Sequence, residues 1–236
     1  MAIELKNISD PSAAPIRVSP RVVILGGYSA RSAEERDRHI AELRTIGIEP
    51  PETVPAFWAI SPVLVTTEDR IEVQGAMTSG EAEYVLIGHE GRTYVTVASD
   101  QTDREFERTS IPRSKQLCAK VIGREVVPLE TLLDGWDETT LSSEVSVDGR
   151  EWRPYQRSPL AALVPPRELV RSALGDDLLP DGTVLLSGTI PLVDGVTRYD
   201  AHFRARLVAP VPAIELALEY RVDILPQLPA TTGGSR

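Results

Sequence analysis

Short apolar runs rich in β-branched residues recur along the chain at 16–18, 22–25, 70–73, 83–87, 93–97, 144–147, 183–186, 201–208 and 216–222. Their alternation with polar residues and their flanking turn formers predict strands for most of them. Helical periodicity is confined to residues 33–46 and about 166–174, with a shorter candidate after Asp103. The first of these helices carries end signals: Ser32 as cap, Glu35 three positions on as its reciprocal partner, and Gly47 just past the end. Pro50, Pro51 and Pro55 then predict an irregular extended segment, and the 19 prolines overall fall mostly between the strand-like runs. The expected class is therefore mainly β with a few helices (α+β).

With 236 residues, 42% of them hydrophobic and 25% charged, the chain reads as one globular domain, expected over residues 1–227, with a flexible tail at 228–236. A net charge of −10 repels polyanions and anionic lipid alike, so neither a nucleic acid nor a membrane surface is an expected partner. No apolar run approaches the roughly 20 residues of a spanning helix. MAIELKNISD lacks the basic and then apolar character of a secretory signal, so a cytoplasmic location is expected. The single cysteine, Cys118, excludes an internal disulfide and reads as a small core residue.

The candidate chemistry begins at Glu81-Ala82-Glu83. Residues i and i+2 of a strand share a face, so two carboxylates project together from the start of the apolar run 84–87. Like charges side by side are costly unless a cation lies between them, and a hard divalent ion with oxygen ligands is the usual solution; a solvated strand end is the alternative. Asp100 stands where the next apolar run ends, either as a further ligand or as a turn former. Lys115, in a basic segment of an acidic protein, could hold an oxyanion or could be a surface lysine. His39 and Glu42, at i and i+3 of the first helix, could pair as a base and its orienting carboxylate or as an exposed ion pair.

In this order the motifs resemble the fumarylacetoacetate hydrolase superfamily over most of residues 20–191. Gly27-Tyr28 precedes His39-Ile40-Ala41-Glu42. Glu81-Ala82-Glu83 is followed by Asp100-Gln101-Thr102-Asp103-Arg104, then by Lys115, by Val147-Asp148-Gly149 with Gln156 behind it, and by Ser187-Gly188-Thr189-Ile190-Pro191. The chain looks closest to an uncharacterised prokaryotic branch of that superfamily. It departs from the family pattern at Ile190, inserted before Pro191, and at Gln116, where the family carries serine after the lysine.

The resemblance implies a mixed β-sandwich roll, commonly homodimeric, with one Mg²⁺ or Mn²⁺ held by Glu81, Glu83 and Asp100. It implies an enzyme, a metal-dependent hydrolase or lyase. The leading expectation is hydrolysis of a carbon–carbon bond beside a carbonyl in a small oxo-acid or 1,3-dicarbonyl substrate. Lys115 would hold developing negative charge, and His39, oriented by Glu42, would activate water. Tyr28, Arg104, Gln156 and Thr189 would contact substrate. The alternatives are a decarboxylase, isomerase or dehydratase on a related oxo-acid, or a non-catalytic ligand-binding member of the fold.

Overall fold

The computed structural model describes residues 2–34 and 53–226 together with the single positions 37, 41 and 51. The first predicted helix begins as expected, with Ala33 and Glu34 helical, but His39 and Glu42 lie outside the described residues, as does the expected tail. In chain order the strands are β1 (Ile3–Asn7), β2 (Ile16–Val18), β3 (Val22–Gly27), β4 (Ala56–Ile60), β5 (Val65–Thr66), β6 (Arg70–Val73), β7 (Thr78–Ser79), β8 (Ala82–His89) and β9 (Arg92–Asp100). Then follow β10 (Thr102–Asp103), β11 (Lys120–Ile122), β12 (Glu125–Pro128), β13 (Thr140–Ser146), β14 (Arg153–Pro159), β15 (Thr183–Leu186), β16 (His202–Ala209) and β17 (Ile214–Ile224). Helices are short: Arg104–Glu107, Ile111–Gln116 and Pro166–Leu174. No helix among the described residues is long and apolar enough to cross a membrane.

A ten-stranded mixed sheet runs β2-β1-β12-β9-β8-β15-β3-β4, with β11 joining β9 to β5. A five-stranded sheet runs β14-β13-β16-β17-β6, and β7 pairs with β10. β8, β9 and β15 are buried along nearly their whole length, which requires cover on both faces. Their side chains divide by parity. Tyr84, Leu86, Val95, Val97 and Leu185 join one apolar cluster, whereas Val85, Ile87, Ala98, Val184 and Leu186 join another. The first cluster also holds Leu141, Phe203, Leu207, Leu216 and Tyr220 of the five-stranded sheet, so it is the filling of a sandwich. The second draws its buried members from strands of the ten-stranded sheet alone, so that sheet must curl to bring them together. Sandwich and curl together are the β-sandwich roll expected above.

β16 and β17 instead alternate buried and exposed positions, as antiparallel strands with one solvated face do. Outside that face, Arg206 and Glu215 pair at 3.5 Å, worth at most about 1 kcal/mol, against about 1.5–3 kcal/mol for each large apolar side chain fully buried beneath. The sheet is therefore held by its inner face.

Strands 22–25, 70–73 and 183–186 stand where the hydrophobic pattern puts them, and Pro166–Leu174 closes with Gly175 in the left-handed region at φ 70°. Three expectations need correction. The run 144–147 begins earlier, at Thr140, and ends at Ser146; Asp148 then turns the chain by accepting from Arg150 N at 2.9 Å. β4, which the predicted runs leave out, begins directly after Pro55; among the described residues it pairs with β3 alone and so tolerates a proline at its entry. β14 carries Pro154 and Pro159, masking it as a strand, yet it lies at the end of the five-stranded sheet beside β13, with a single bridge from Gln156 to Leu192 on its other side, a place where proline is tolerated.

Candidate metal centre

β8 and β9 are antiparallel neighbours with Ala82 opposite Ser99, and Asp100 N donates to Glu81 O at 3.0 Å. That register sets the end of β9 beside the start of β8. The i, i+2 relation keeps Glu81 and Glu83 on one side, and Asp100 joins them: one carboxylate oxygen from each lies within 4.8 Å of the others. Glu83 and Asp100 are buried, and the Glu81 side chain is 16% exposed. Three hard oxygen donors and no soft ligand suit Mg²⁺ or Mn²⁺. Bonds of about 2.1 Å put octahedral ligands about 3.0–4.2 Å apart, so the trio needs only a small contraction to hold such an ion.

Cations surround these acids. Lys115, on the helix Ile111–Gln116, donates to Glu81 Oε2 at 3.2 Å and to Asp100 Oδ2. Arg104 pairs with Glu81 Oε1 at 3.0 Å and with Glu107 at 2.9 Å, and its Nε donates to Ser79 Oγ at 2.7 Å. Lys120, which the sequence reading passed over, lies directly opposite Asp100 across the β9–β11 ladder and is fully buried. Its ammonium reaches Asp100 Oδ1 at 2.8 Å and the carbonyl oxygens of Gln101 and Lys115, each at 2.6 Å. Three donors meet three acceptors. Its only sequence signal is a lysine inside the apolar run 118–122.

These neighbours set the protonation states. Burial pushes the Asp100 carboxyl up, but Lys115 and Lys120 outweigh it and hold it down at about 2. Glu81 is likewise lowered, Arg104 and then Lys115 overcoming its burial. Glu83 is raised well above the ordinary range by burial and by the charge of Asp100. Burial alone would lower Lys115, yet Asp100, Glu81 and Glu83 raise it, so it stays an ammonium. Tyr28, in the left-handed region at φ 55°, is raised by burial and Glu107 against the opposing charge of Lys115. It therefore lies within electrostatic range of Lys115.

Gln156 and Thr189 brace the site. Gln156 accepts from Ala82 N and Ser143 Oγ, each at 2.9 Å, and donates to Thr189 Oγ1 at 2.7 Å and Ile190 O at 2.6 Å. That uses the full capacity of a side-chain amide. Thr189 donates on to Ala82 O at 3.0 Å, and Gly188 N donates to Glu83 Oε2 at 2.7 Å. Of the residues singled out in the sequence, the structure thus gathers Glu81, Glu83, Asp100, Lys115, Arg104, Gln156 and Thr189 around the start of β8, with Tyr28 in range of Lys115. His39 and Glu42 lie outside the described residues.

The Asp100 and Glu83 shifts have opposite signs in stability. Asp100, at about 2 folded against 3.8 free, contributes about 2 kcal/mol above the ordinary carboxylate range, and this is lost as pH falls through the folded value. The stability gap between wild type and Asp100→Asn should lose about half of that by pH 3 and most of it by pH 2, read from urea unfolding. Glu83, raised on folding, contributes stability present at acid pH and lost as pH rises through its folded value. Glu83→Gln should accordingly compare better with wild type at pH 8 than at pH 5.

A family model described as "Protein of unknown function (DUF2848)" matches residues 26–220. The chain belongs to the DUF2848 family. No curated protein matches its sequence. Solved structures do resemble this DUF2848 chain. "Crystal structure of Cg1458 with inhibitor" superimposes with a TM-score of 0.63 at 16% identity, covering 89% of this chain and 81% of that one. "2-keto-3-deoxy-D-arabinonate dehydratase complexed with magnesium and 2,5-dioxopentanoate" gives 0.61 at 15% identity, covering 93% and 86%. "Fumarylacetoacetate hydrolase (EaFAH) from psychrophilic Exiguobacterium antarcticum" gives 0.59 at 16% identity, covering 91% and 80%. At such identities the likeness establishes the fold: the DUF2848 chain has the fold of the fumarylacetoacetate hydrolase superfamily.

Proposed function

We propose that this chain is a Mg²⁺- or Mn²⁺-dependent enzyme that cleaves a carbon–carbon bond beside a carbonyl in a small oxo-acid or 1,3-dicarbonyl compound by hydrolysis. The observation that carries the reading is the convergence of Glu81, Glu83 and Asp100 on one point beside the ammonium of Lys115. Glu81, Glu83 and Asp100 would hold the cation, which supplies Lewis-acid polarisation of a substrate oxygen when bound. Lys115, kept protonated by its acidic neighbours, cannot serve as a base; it offers a fixed positive charge to an oxyanion. Arg104 orients Glu81 and adds positive charge at the edge of the site. Gln156, with its amide fully engaged, is better placed as a brace than as a substrate contact, whereas Thr189 and Tyr28 remain candidate contacts. The proton acceptor for water is assigned to His39 with Glu42.

Dehydration of a sugar-derived oxo-acid is the second reading. It is favoured by the similarity to the dehydratase complexed with magnesium and 2,5-dioxopentanoate. It needs the same polarised carbonyl and the same proton-transfer group, with a leaving hydroxide in place of a leaving carbanion. A panel of acylpyruvates, oxaloacetate and 2-keto-3-deoxy acids, assayed with and without Mn²⁺, separates the readings: new carboxylate plus ketone from an acylpyruvate supports hydrolysis, and loss of water from a 2-keto-3-deoxy acid supports dehydration. Binding of an oxo-acid with no turnover of any would support a ligand-binding role.

We also propose a homodimer, on the family resemblance. Sedimentation equilibrium at micromolar concentration should give twice the 25.8 kDa of the chain; the monomer mass would overturn the proposal.

A further inference from the structure

The ammonium of Lys120 is fully buried and gathers acceptors from three pieces of chain. Asp100 Oδ1, at the end of β9, lies 2.8 Å away. Gln101 O, in the link from β9 to β10, and Lys115 O, in the last turn of the helix Ile111–Gln116, lie at 2.6 Å each. The same Lys115 sends its side chain back to Asp100 Oδ2 and to Glu81 Oε2, the latter at 3.2 Å. Asp100 therefore stands between two lysines, and one of them holds the backbone of the other.

Stability does not call for a lysine at this place. Its neighbours Cys118, Val121 and Ile122 are buried apolar residues, and apolar side chains in place of a buried ion pair are often neutral or stabilising. What the ammonium does supply is a donor for the Lys115 carbonyl, which lies in the last turn of a six-residue helix and so has no intrahelical donor. The side chain of Lys115 is long and rotatable, so where its ammonium stands depends on where that turn is held. We infer that Lys120 is a positioning residue for the proposed reaction. By holding Asp100 Oδ1, Gln101 O and Lys115 O on one ammonium it sets the charge of Lys115 against an oxyanion bound beside Asp100, a role that rests on the oxyanion reading of Lys115 above.

The other contacts nearby do different work. Arg104 reaches Glu81, Glu107 and Ser79, and so orients Glu81. Gln116 ties the helix Ile111–Gln116 to the chain just past β4, its Oε1 accepting from Ser61 N at 2.9 Å. Lys120 instead joins the backbone of that helix to the strand end that bears Asp100. Misplacing a catalytic group by about 1 Å can cost about 10²-fold, so a small drift of the helix turn would be felt in the holding of an oxyanion while the folded core stayed intact.

A double-mutant cycle in oxalate binding separates positioning from support of the fold, without turnover. Oxalate, a dianion whose oxygens are spaced as those of an oxo-acid enolate, is titrated by calorimetry into wild type, Lys115→Met, Lys120→Met and the double variant, each first saturated with MnCl₂. Lys115→Met should raise the oxalate Kd by about tenfold or more, the loss expected for one hydrogen bond to a charged group. Lys120→Met should raise it by about tenfold as well, and the double variant should bind within about twofold of Lys115→Met alone, because Lys120 acts through Lys115. Losses that multiply across the cycle, or an oxalate Kd unchanged within about twofold in folded Lys120→Met, overturn the inference and leave the functional reading standing. If Lys115→Met binds oxalate as wild type does, or if wild type binds no Mn²⁺, the functional reading falls and the role of Lys120 with it. Should Lys120→Met not fold by circular dichroism, Lys120→Gln, which keeps two N–H donors on a shorter neutral stem, takes its place in the cycle. If neither folds, Lys120 serves the fold alone and the inference fails.

Discussion

Replacing Glu83 and Asp100 together by alanine should abolish Mn²⁺ binding in a calorimetric titration that shows one site per chain in the wild type. Loss of a group that merely orients a ligand costs about 10–100-fold in metal affinity, so removing two of three ligands should cost far more. Undiminished binding would reject the site. The experiment needs a companion variant because of the surroundings of Asp100. It is fully buried between Lys115 and Lys120, and deleting it takes the carboxylate partner from the buried Lys120 and leaves Lys115 with Glu81, a kind of change that costs about 3–5 kcal/mol. Glu83→Gln with Asp100→Asn keeps the volumes and most hydrogen-bonding positions while removing the charge that a divalent ion requires. Loss of binding in both double variants, with the isosteric one folded, separates a ligand role from collapse of the core.

His39→Ala should lower turnover by about 10²–10⁴ while leaving metal affinity and fold nearly intact, the usual contribution of a general base. The need for such a group outside the cluster follows from the cluster itself. Lys115 is held protonated by three carboxylates, Asp100 is held ionised by two lysines, and the phenol of Tyr28 is raised, so none of them is a base poised near neutral pH. Glu83 is raised, but as a ligand it must release its proton to solvent when the cation binds, and a carboxylate engaged by the cation is not a free base. Glu42→Gln should cost somewhat less than His39→Ala, and the two losses should be far from additive, because both residues would serve one proton transfer. An exposed ion pair predicts almost no kinetic effect and at most about 0.5 kcal/mol of stability. Turnover of His39→Ala within a factor of two of wild type would leave only the ion pair.

Much of this architecture is written in local pattern. The strand run 183–186, the helix Pro166–Leu174 and its glycine stop depend on periodicity and end chemistry within a few residues, and the structure places them where those rules put them. The pairing of Glu81 with Glu83 on one face is equally local, because alternation along a strand is a property of the backbone.

Position across the sheet has no such local cause. That Lys120 stands opposite Asp100 depends on the register of β11 against β9, and a shift of one residue would turn its side chain to the other face. Gln156 reads as a polar residue on a proline-flanked edge strand; only the approach of β8 and the Thr189 loop adds three partners to Ser143 of β13 and fills its amide. The Gly188 amide reaches Glu83 across 105 positions of sequence, and a backbone donor leaves no mark in composition. The sequence by itself determined strands such as 22–25, 70–73 and 183–186, the helix Pro166–Leu174 and the acidic residues available for a site. Tertiary structure alone decided which donor meets which carboxylate oxygen, because that choice depends on strand register and on burial, which arise only when distant segments pack.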